Sequence, residues 1–137
     1  MTRINVVPPS ELCDQHLIAE YRELPRVFGL ARLLPNRQSL TYVLGPGHVK
    51  FFYDKLAWLY GRQRKLVEEM KRRGFNPQFE VESLQQKFQK TNPDLWNDWA
   101  PTSTDLEINR ARLSAKLRQM KSPRWTQPEE EKVHACI

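Results

Sequence analysis

The sequence predicts an all-α fold of three principal helices joined by long connecting loops. Three observations carry that prediction. Apolar residues recur at three- and four-residue steps in three long windows. No stretch alternates apolar and polar residues for long enough to read as a strand. The segments between the windows are turn chemistry: Pro8-Pro9, Pro35-Asn36 and the glycine-rich VLGPGHV at 43–49.

The first helix is expected to open at Ser10, a good N-cap, and to run from Glu11. Leu12, Cys13, Leu17, Ile18, Tyr21 and Leu24 then share one face. Pro25 should kink or interrupt it, because proline removes a backbone donor and crowds the preceding turn. The pattern resumes through Val27, Leu30, Ala31 and Leu34 and stops at Pro35. The second and clearest helix spans about His48 to Arg73. Val49, Phe52, Leu56, Leu59, Leu66 and Met70 line it, and Gly74 is the expected stop. Arg62, Arg64, Lys65, Lys71, Arg72 and Arg73 crowd its second half, where the helix dipole favours cations. A short helix is expected near Glu80–Phe88. The third long helix runs from about Thr104 to Met120, with Leu106, Leu113, Leu117 and Met120 on its buried side. The tail from about residue 122 reads as irregular. The whole of 1–137 reads as one domain, long enough to bury a core.

Charge points to a partner. The formal net charge is +6. Residues 1–75 hold 13 basic and 7 acidic side chains, whereas 76–137 hold 9 of each. Within the second half, 106–124 is locally basic and Glu129-Glu130-Glu131 offsets it. Such an excess favours an anionic partner such as nucleic acid. Two cysteines, Cys13 and Cys136, imply no disulfide framework and suit a reducing compartment. There is no apolar signal core, and no apolar run nears the about 18–20 residues that span a bilayer. A soluble, cytoplasmic monomer is the expectation.

Several constellations admit more than one reading. His16, Glu20 and Glu23 share a face, with Gln15, Arg22 and Arg26 along a neighbouring one. By spacing alone this is a solvated face with intrahelical ion pairs. Cys13 and His16, with His134 and Cys136, make a conceivable metal set. Cys13 belongs to the apolar face, however, so no metal site is expected. No HExxH, paired CxxC, P-loop or nucleophile-elbow motif is present. The basic half of the second helix and the i, i+4 pair Arg112 and Lys116 form either a phosphate-binding surface or a solubilising one. The four tryptophans can stack on bases, but core packing is the expectation for most.

The chain opens Met1-Thr2-Arg3. Threonine is small, so removal of Met1 is expected, leaving a free α-amine on Thr2. That amine has a reference pKa of about 7.7–8.0 against about 10.4 for lysine, so its free-base fraction at neutral pH is larger by roughly a few hundred-fold. It is suited to form a Schiff base without burial of a lysine.

Five strings then occur in order: MTRIN at 1–5, SELCDQHLIAEYRELPRVFG at 10–29, LGPGHVKFFYDK at 44–55, KRRGFN at 71–76 and INRARLSAKL at 108–117. Together they resemble the pyrimidine-dimer DNA glycosylase family, from Met1 to about Lys116. The resemblance implies a compact all-α fold and a bifunctional glycosylase and AP lyase acting on damaged double-stranded DNA. It places the nucleophile on the Thr2 amine and the catalytic carboxylate on Glu23. DNA contacts fall on Arg3, Arg22, Arg26, Arg112 and Lys116, and Gln15 and His16 match positions lining the active-site region. It implies no cofactor, and it implies expulsion of a base opposite the dimer.

The resemblance is incomplete in two places. The 34–43 stretch is shorter than in the family's phage member and lacks its strongly basic insert, with Arg37 alone there. Fewer phosphate contacts mean weaker salt-dependent affinity. Trp125 is followed by Thr-Gln-Pro and three glutamates, not by the aromatic, lysine-containing end that the phage member uses for dimer recognition. Another lesion or a bare abasic site is therefore the alternative substrate. A non-catalytic, basic helical DNA-binding protein is the competing class.

Overall fold

Helix α1 (Asp14–Leu33) runs unbroken through Pro25. The computed structural model describes residues 4–33 and 48–127. It contains three further α-helices: α2 (Leu56–Arg72), α3 (Glu82–Phe88) and α4 (Ser103–Gln119). Single 3-10 turns cover Pro9–Glu11, Val49–Phe52 and Pro93–Leu95, and no strand occurs among the described residues. The all-α expectation holds, with three long helices and one short one. The expected end of the first helix at Pro35, the 34–43 stretch and the residues after Gln127 lie outside the described residues.

The sequence misplaces three boundaries, each for a tertiary reason. Pro25 lacks the N–H that would bond the Tyr21 carbonyl, so a break is expected. Instead the Tyr21 carbonyl accepts from Gln63 Nε2 of α2 at 3.0 Å, and the helix continues. Ser10 is not the N-cap but sits within the Pro9–Glu11 turn. The first N–H of α1, on Asp14, instead donates to the Arg124 carbonyl at 2.6 Å. The described part of the tail, to Gln127, is irregular as expected, yet it is docked as a strap across the start of α1. The expected His48–Arg73 helix is two elements. Asn97 Nδ2 donates to the Asp54 carbonyl at 2.9 Å, and the Asn97 carbonyl accepts from Trp58 N–H at 3.3 Å, holding the junction open. A 3-10 turn and an α-helix both repeat at three to four residues, so periodicity alone merges them.

Other ends follow local rules. Gly74 has φ 90°, with Phe75 N–H bonding the Met70 carbonyl and Gly74 N–H the Lys71 carbonyl. That is a Schellman termination, which glycine makes without steric cost. Thr102 and Asp105 form a reciprocal capping box at the start of α4.

The core lies between α1 and α2. Leu17, Leu24 and Phe28 bury with Leu56, Leu59 and Leu66, and α3 closes one end through Leu84 and Phe88. Phe52 stacks on Trp58 at 5.2 Å, and Trp58 meets Trp99 edge-on at 5.2 Å. Trp58, Trp96 and Trp99 are therefore packing residues, while Trp125 is 44% exposed. Helix α4 departs from expectation. Leu106, Leu113, Leu117 and Met120 are only half-buried, and its one buried residue is Asn109.

Charges occupy the core as well. Glu20, expected on a solvated face, is 0% exposed, and Arg62 and Arg73, expected on a basic surface, are buried. Arg62 Nε and Nη2 reach the two oxygens of Glu20 at 2.8 and 3.2 Å. Arg73 pairs with Asp14 and Glu69, both at 2.9 Å. Removing one partner strands a buried charge. Arg62→Ala is thus expected to destabilise the protein by roughly 3–5 kcal/mol. The exposed Arg64→Ala should change stability by less than about 0.5 kcal/mol. Urea unfolding of both variants checks this, and equal losses would refute the buried-pair assignment.

Candidate active site

The N-terminal segment enters the molecule as a buried strand of chain, Ile4 to Val7, that forms no regular secondary structure. Four elements hold it. His48 Nε2 lies 2.8 Å from the Ile4 backbone nitrogen and 3.1 Å from the Ile4 carbonyl oxygen, so it bonds the Ile4 backbone in either tautomer. Asn5 Nδ2 donates to Glu20 of α1 at 2.9 Å. Arg62 Nη1 of α2 donates to the Val7 carbonyl. Asn109 of α4 bonds the backbone of Val6 and Val7. Thr2 and Arg3 themselves lie outside the described residues.

Glu23 is one turn beyond Glu20 on α1 and reaches the surface, where its side chain is 36% exposed. Arg26 Nη1 bonds Glu23 Oε2 at 3.1 Å while remaining 75% exposed. This is a rim pair, accessible from solvent, and contributes little to stability. Arg22 is exposed and lines a cavity of about 270 Å³ with Tyr21, Pro25 and Phe79. The Tyr21 hydroxyl accepts from Phe79 N–H at 2.9 Å, fixing that loop beside α1.

Gln15 is engaged at both ends of its amide. Its Nε2 donates to the Ser122 carbonyl at 2.8 Å, and its Oε1 accepts from Arg124 N–H at 3.1 Å. The strap is further tied by Thr126, whose N–H and hydroxyl bond the Asp14 carboxylate. Burial opposes ionisation of Asp14, but the Thr126 bonds and Arg73 prevail, and its pKa lies below the usual aspartate value.

His16 is half-buried, and its Nδ1 is buried without a hydrogen-bond partner among the described residues. Burial lowers its pKa, and the Lys116 charge lowers it further against an opposing pull from Glu20. The fold therefore brings His16 of α1 and Lys116 of α4 into electrostatic contact. Arg112, half-buried, and Lys116, exposed, lie on one face of α4. Arg110 is on another flank and is committed: its guanidinium grips Glu11 with two bonds of 2.9 Å.

A cavity of about 730 Å³ lies between Pro8-Pro9, α2 and the Arg110 flank of α4. It touches none of the sequence-predicted site residues. Cys13 is buried, and no group of three or more metal-ligating side chains occurs among the described residues. His134 and Cys136 lie outside them.

Sequence reading missed Asn5, Arg62 and Asn109 as site-building residues, and took Glu20 for surface. A signal was present. Glu20 falls three residues after Leu17 and four before Leu24, and Arg62 falls likewise between Leu59 and Leu66. Both charges sit in the middle of an apolar stripe, and their signs are opposite.

Over residues 1–83 the chain matches the family model described as pyrimidine dimer DNA glycosylase. No described helix is long and apolar enough to cross a membrane.

The titration of His16 checks its placement. Its imidazole should titrate below 6.5, the ordinary value. It is then mostly neutral at pH 7 and adds little charge to an anion-binding surface. Lys116→Ala should raise the midpoint only part of the way back, because burial is the larger cause. Proton NMR of the imidazole, assigned with His16→Gln, reads both shifts. A wild-type midpoint at or above 6.5 would contradict the described environment.

Proposed function

The chain belongs to the pyrimidine dimer DNA glycosylase family, and from that membership we propose a bifunctional mechanism in which the Thr2 α-amine is the nucleophile. One observation supports it above the others. Asn5 is bonded to Glu20, and Glu20 is one turn from the solvent-accessible carboxylate of Glu23. Two extended residues span at most about 7 Å, so the covalent chain keeps Thr2 near Ile4. Glu20 and Glu23 are about 4.5 Å apart along the helix axis. On this reading the Thr2 amine and the Glu23 carboxylate act on the same sugar.

The chemistry follows from that pairing. The neutral amine of Thr2 attacks C1′ of the 5′ nucleotide of a cyclobutane dimer. The N–C1′ bond forms as the glycosidic bond breaks, and the pyrimidine leaves with the electron pair. Positive charge develops on the sugar, and Glu23 stabilises it and assists proton transfer. Ring opening and proton loss from nitrogen give an imine, which serves as an electron sink. Loss of a C2′ proton then expels the 3′ phosphate by β-elimination, and hydrolysis of the imine frees the amine. Arg22 and Arg26 flank Glu23 in sequence and are exposed, as phosphate contacts must be. Arg3, Arg112 and Lys116 complete the proposed set of phosphate contacts. Gln15 and His16 are assigned to the active-site region by the family resemblance, and Gln15 also anchors the strap. The cavity beside Arg22, walled by Tyr21, Pro25 and Phe79, is the candidate receptacle for an expelled base. Aromatic and apolar walls with an arginine at the rim suit a nucleobase. No cofactor is needed for these steps.

Borohydride trapping on ultraviolet-irradiated and on abasic duplexes tests the reading. A covalent adduct is expected on both, joined to the residue-2 amine, and a chain that keeps Met1 should give none. Absence of an adduct on both substrates, with Met1 removed, would reject the mechanism. An adduct on abasic DNA alone would favour a different lesion. Glu23→Gln should abolish glycosylase activity with DNA affinity largely kept.

Arg112→Ala addresses the surface instead of the chemistry. It should weaken binding to all sequences alike and reduce the salt slope by about 1. An unchanged slope in a salt titration of binding would remove Arg112 from the phosphate-contacting set.

A further inference from the structure

Asn109 is the one residue that α4 buries, and it is 0% exposed. Its side-chain oxygen accepts from the N–H of Val6 at 2.7 Å and of Val7 at 3.1 Å. Its Nδ2 donates to Asn5 Oδ1 at 2.8 Å. Asn5 in turn donates to Glu20, and Glu20 is held by Arg62, which also bonds the Val7 carbonyl. One amide from α4 therefore takes two backbone donors of the N-terminal strand and completes a chain of bonds reaching α1 and α2.

The apolar contacts of α4 do not set this register. Leu106 and Leu113 are half-buried, and apolar packing is non-directional. Hydrogen bonds to consecutive N–H groups are directional and specify depth along the strand. Asn109, Arg112 and Lys116 follow at three and four residues, so they share one face of α4. The helix face that carries the proposed phosphate contacts thus also grips the segment that leads to Thr2.

We propose that Asn109 is a positioning residue for the N-terminal amine. It registers the nucleophile-bearing strand against the phosphate-contacting face of α4. This rests on the reading of the Thr2 amine as nucleophile. Without Asn109 the strand keeps the His48 contact at Ile4, the Asn5–Glu20 bond and the Arg62 contact at Val7. The protein remains folded, but the strand gains freedom along its axis. Misplacement of a reacting group by 1 Å costs on the order of 10²-fold in rate.

Single-turnover borohydride trapping on an abasic duplex, with enzyme in excess, separates placement from folding. Asn109→Leu removes all three bonds at similar volume. Its trapping rate constant should fall roughly 10²-fold. The final amplitude and the affinity for the same duplex should stay near wild type, and so should the pH midpoint of the rate. Leu113→Ala, which disturbs α4 away from the network, should lower the melting temperature without lowering the rate constant. If Asn109→Leu does not fold, Asn109→Ala, whose smaller side chain leaves room for water, is read by the same criteria. A lower amplitude at an unchanged rate constant means a folding role only and overturns the inference, as does an unchanged rate or a shifted pH midpoint. A wild-type enzyme that forms no adduct removes the nucleophile reading itself. A wild-type adduct with an unaltered Asn109 variant removes the positioning role alone.

Discussion

The buried pair between Glu20 and Arg62 is the contact on which the rest of the structure turns. Two charges taken out of water carry a desolvation penalty of several kcal/mol each. Their mutual attraction offsets it only where geometry is good and the remaining polar atoms are satisfied. Both conditions hold here. The guanidinium meets both carboxylate oxygens, its third nitrogen reaches the Val7 carbonyl, and Asn5 supplies another donor to Glu20. The extra bonds that complete the pair all come from the N-terminal strand. The strand and the pair are therefore one unit: neither is satisfied without the other. Chain termini ordinarily fray, and this segment is instead buried from Ile4 to Val7.

The same accounting changes what the net charge means. Arg62 and Arg73 are spent inside the protein, and Arg110 is bound to Glu11 at the surface. These three do not serve an external polyanion. What remains among the candidate phosphate contacts is a smaller set: Arg22 and Arg26 on α1, Arg112 and Lys116 on α4. Affinity for DNA backbone depends on the number of phosphates neutralised, not on total charge. A modest set of cations would suit the proposed mechanism, in which one carboxylate and one amine act on one sugar. Pairing of Arg26 with Glu23 at the rim is compatible with this, since an exposed pair is weak and exchanges partners readily.

Much of this was legible in the sequence, and what was not has identifiable causes. Periodicity located three long helices because side chains on a helix face repeat whatever they pack against. Gly74 was readable because a positive φ requires a particular residue type. Pro25 was misread because its missing donor is compensated by Gln63, which lies 38 positions away in sequence and beside it in space. Ser10 failed as a cap because the Arg124 carbonyl meets the first N–H of α1. Glu20 and Arg62 were assigned to solvent because charge outweighed position in the reading. Their placement within apolar stripes on two helices, with opposite signs, was the information that mattered. Asn109 carried no such mark. One asparagine on a weakly amphipathic helix is indistinguishable from any surface residue until its partners are known.

A side-chain nucleophile is placed by choosing a rotamer, and neighbouring atoms can hold that rotamer by packing. A terminal backbone amine has no side chain to lock. It can be placed only by placing the backbone behind it, and backbone is held by hydrogen bonds to its N–H and C=O groups. In a buried strand without a neighbouring strand, those bonds must come from side chains. His48, Asn109 and Arg62 supply them here, and buried side chains of that kind need partners of their own. The polar network at the centre of an otherwise apolar core is thus what the proposed chemistry demands of the fold. An apolar replacement of the Glu20–Arg62 pair could match its stability. It would remove the pair's bonds to Asn5 and to the Val7 carbonyl and leave the segment that leads to the proposed nucleophile held by His48 and Asn109 alone.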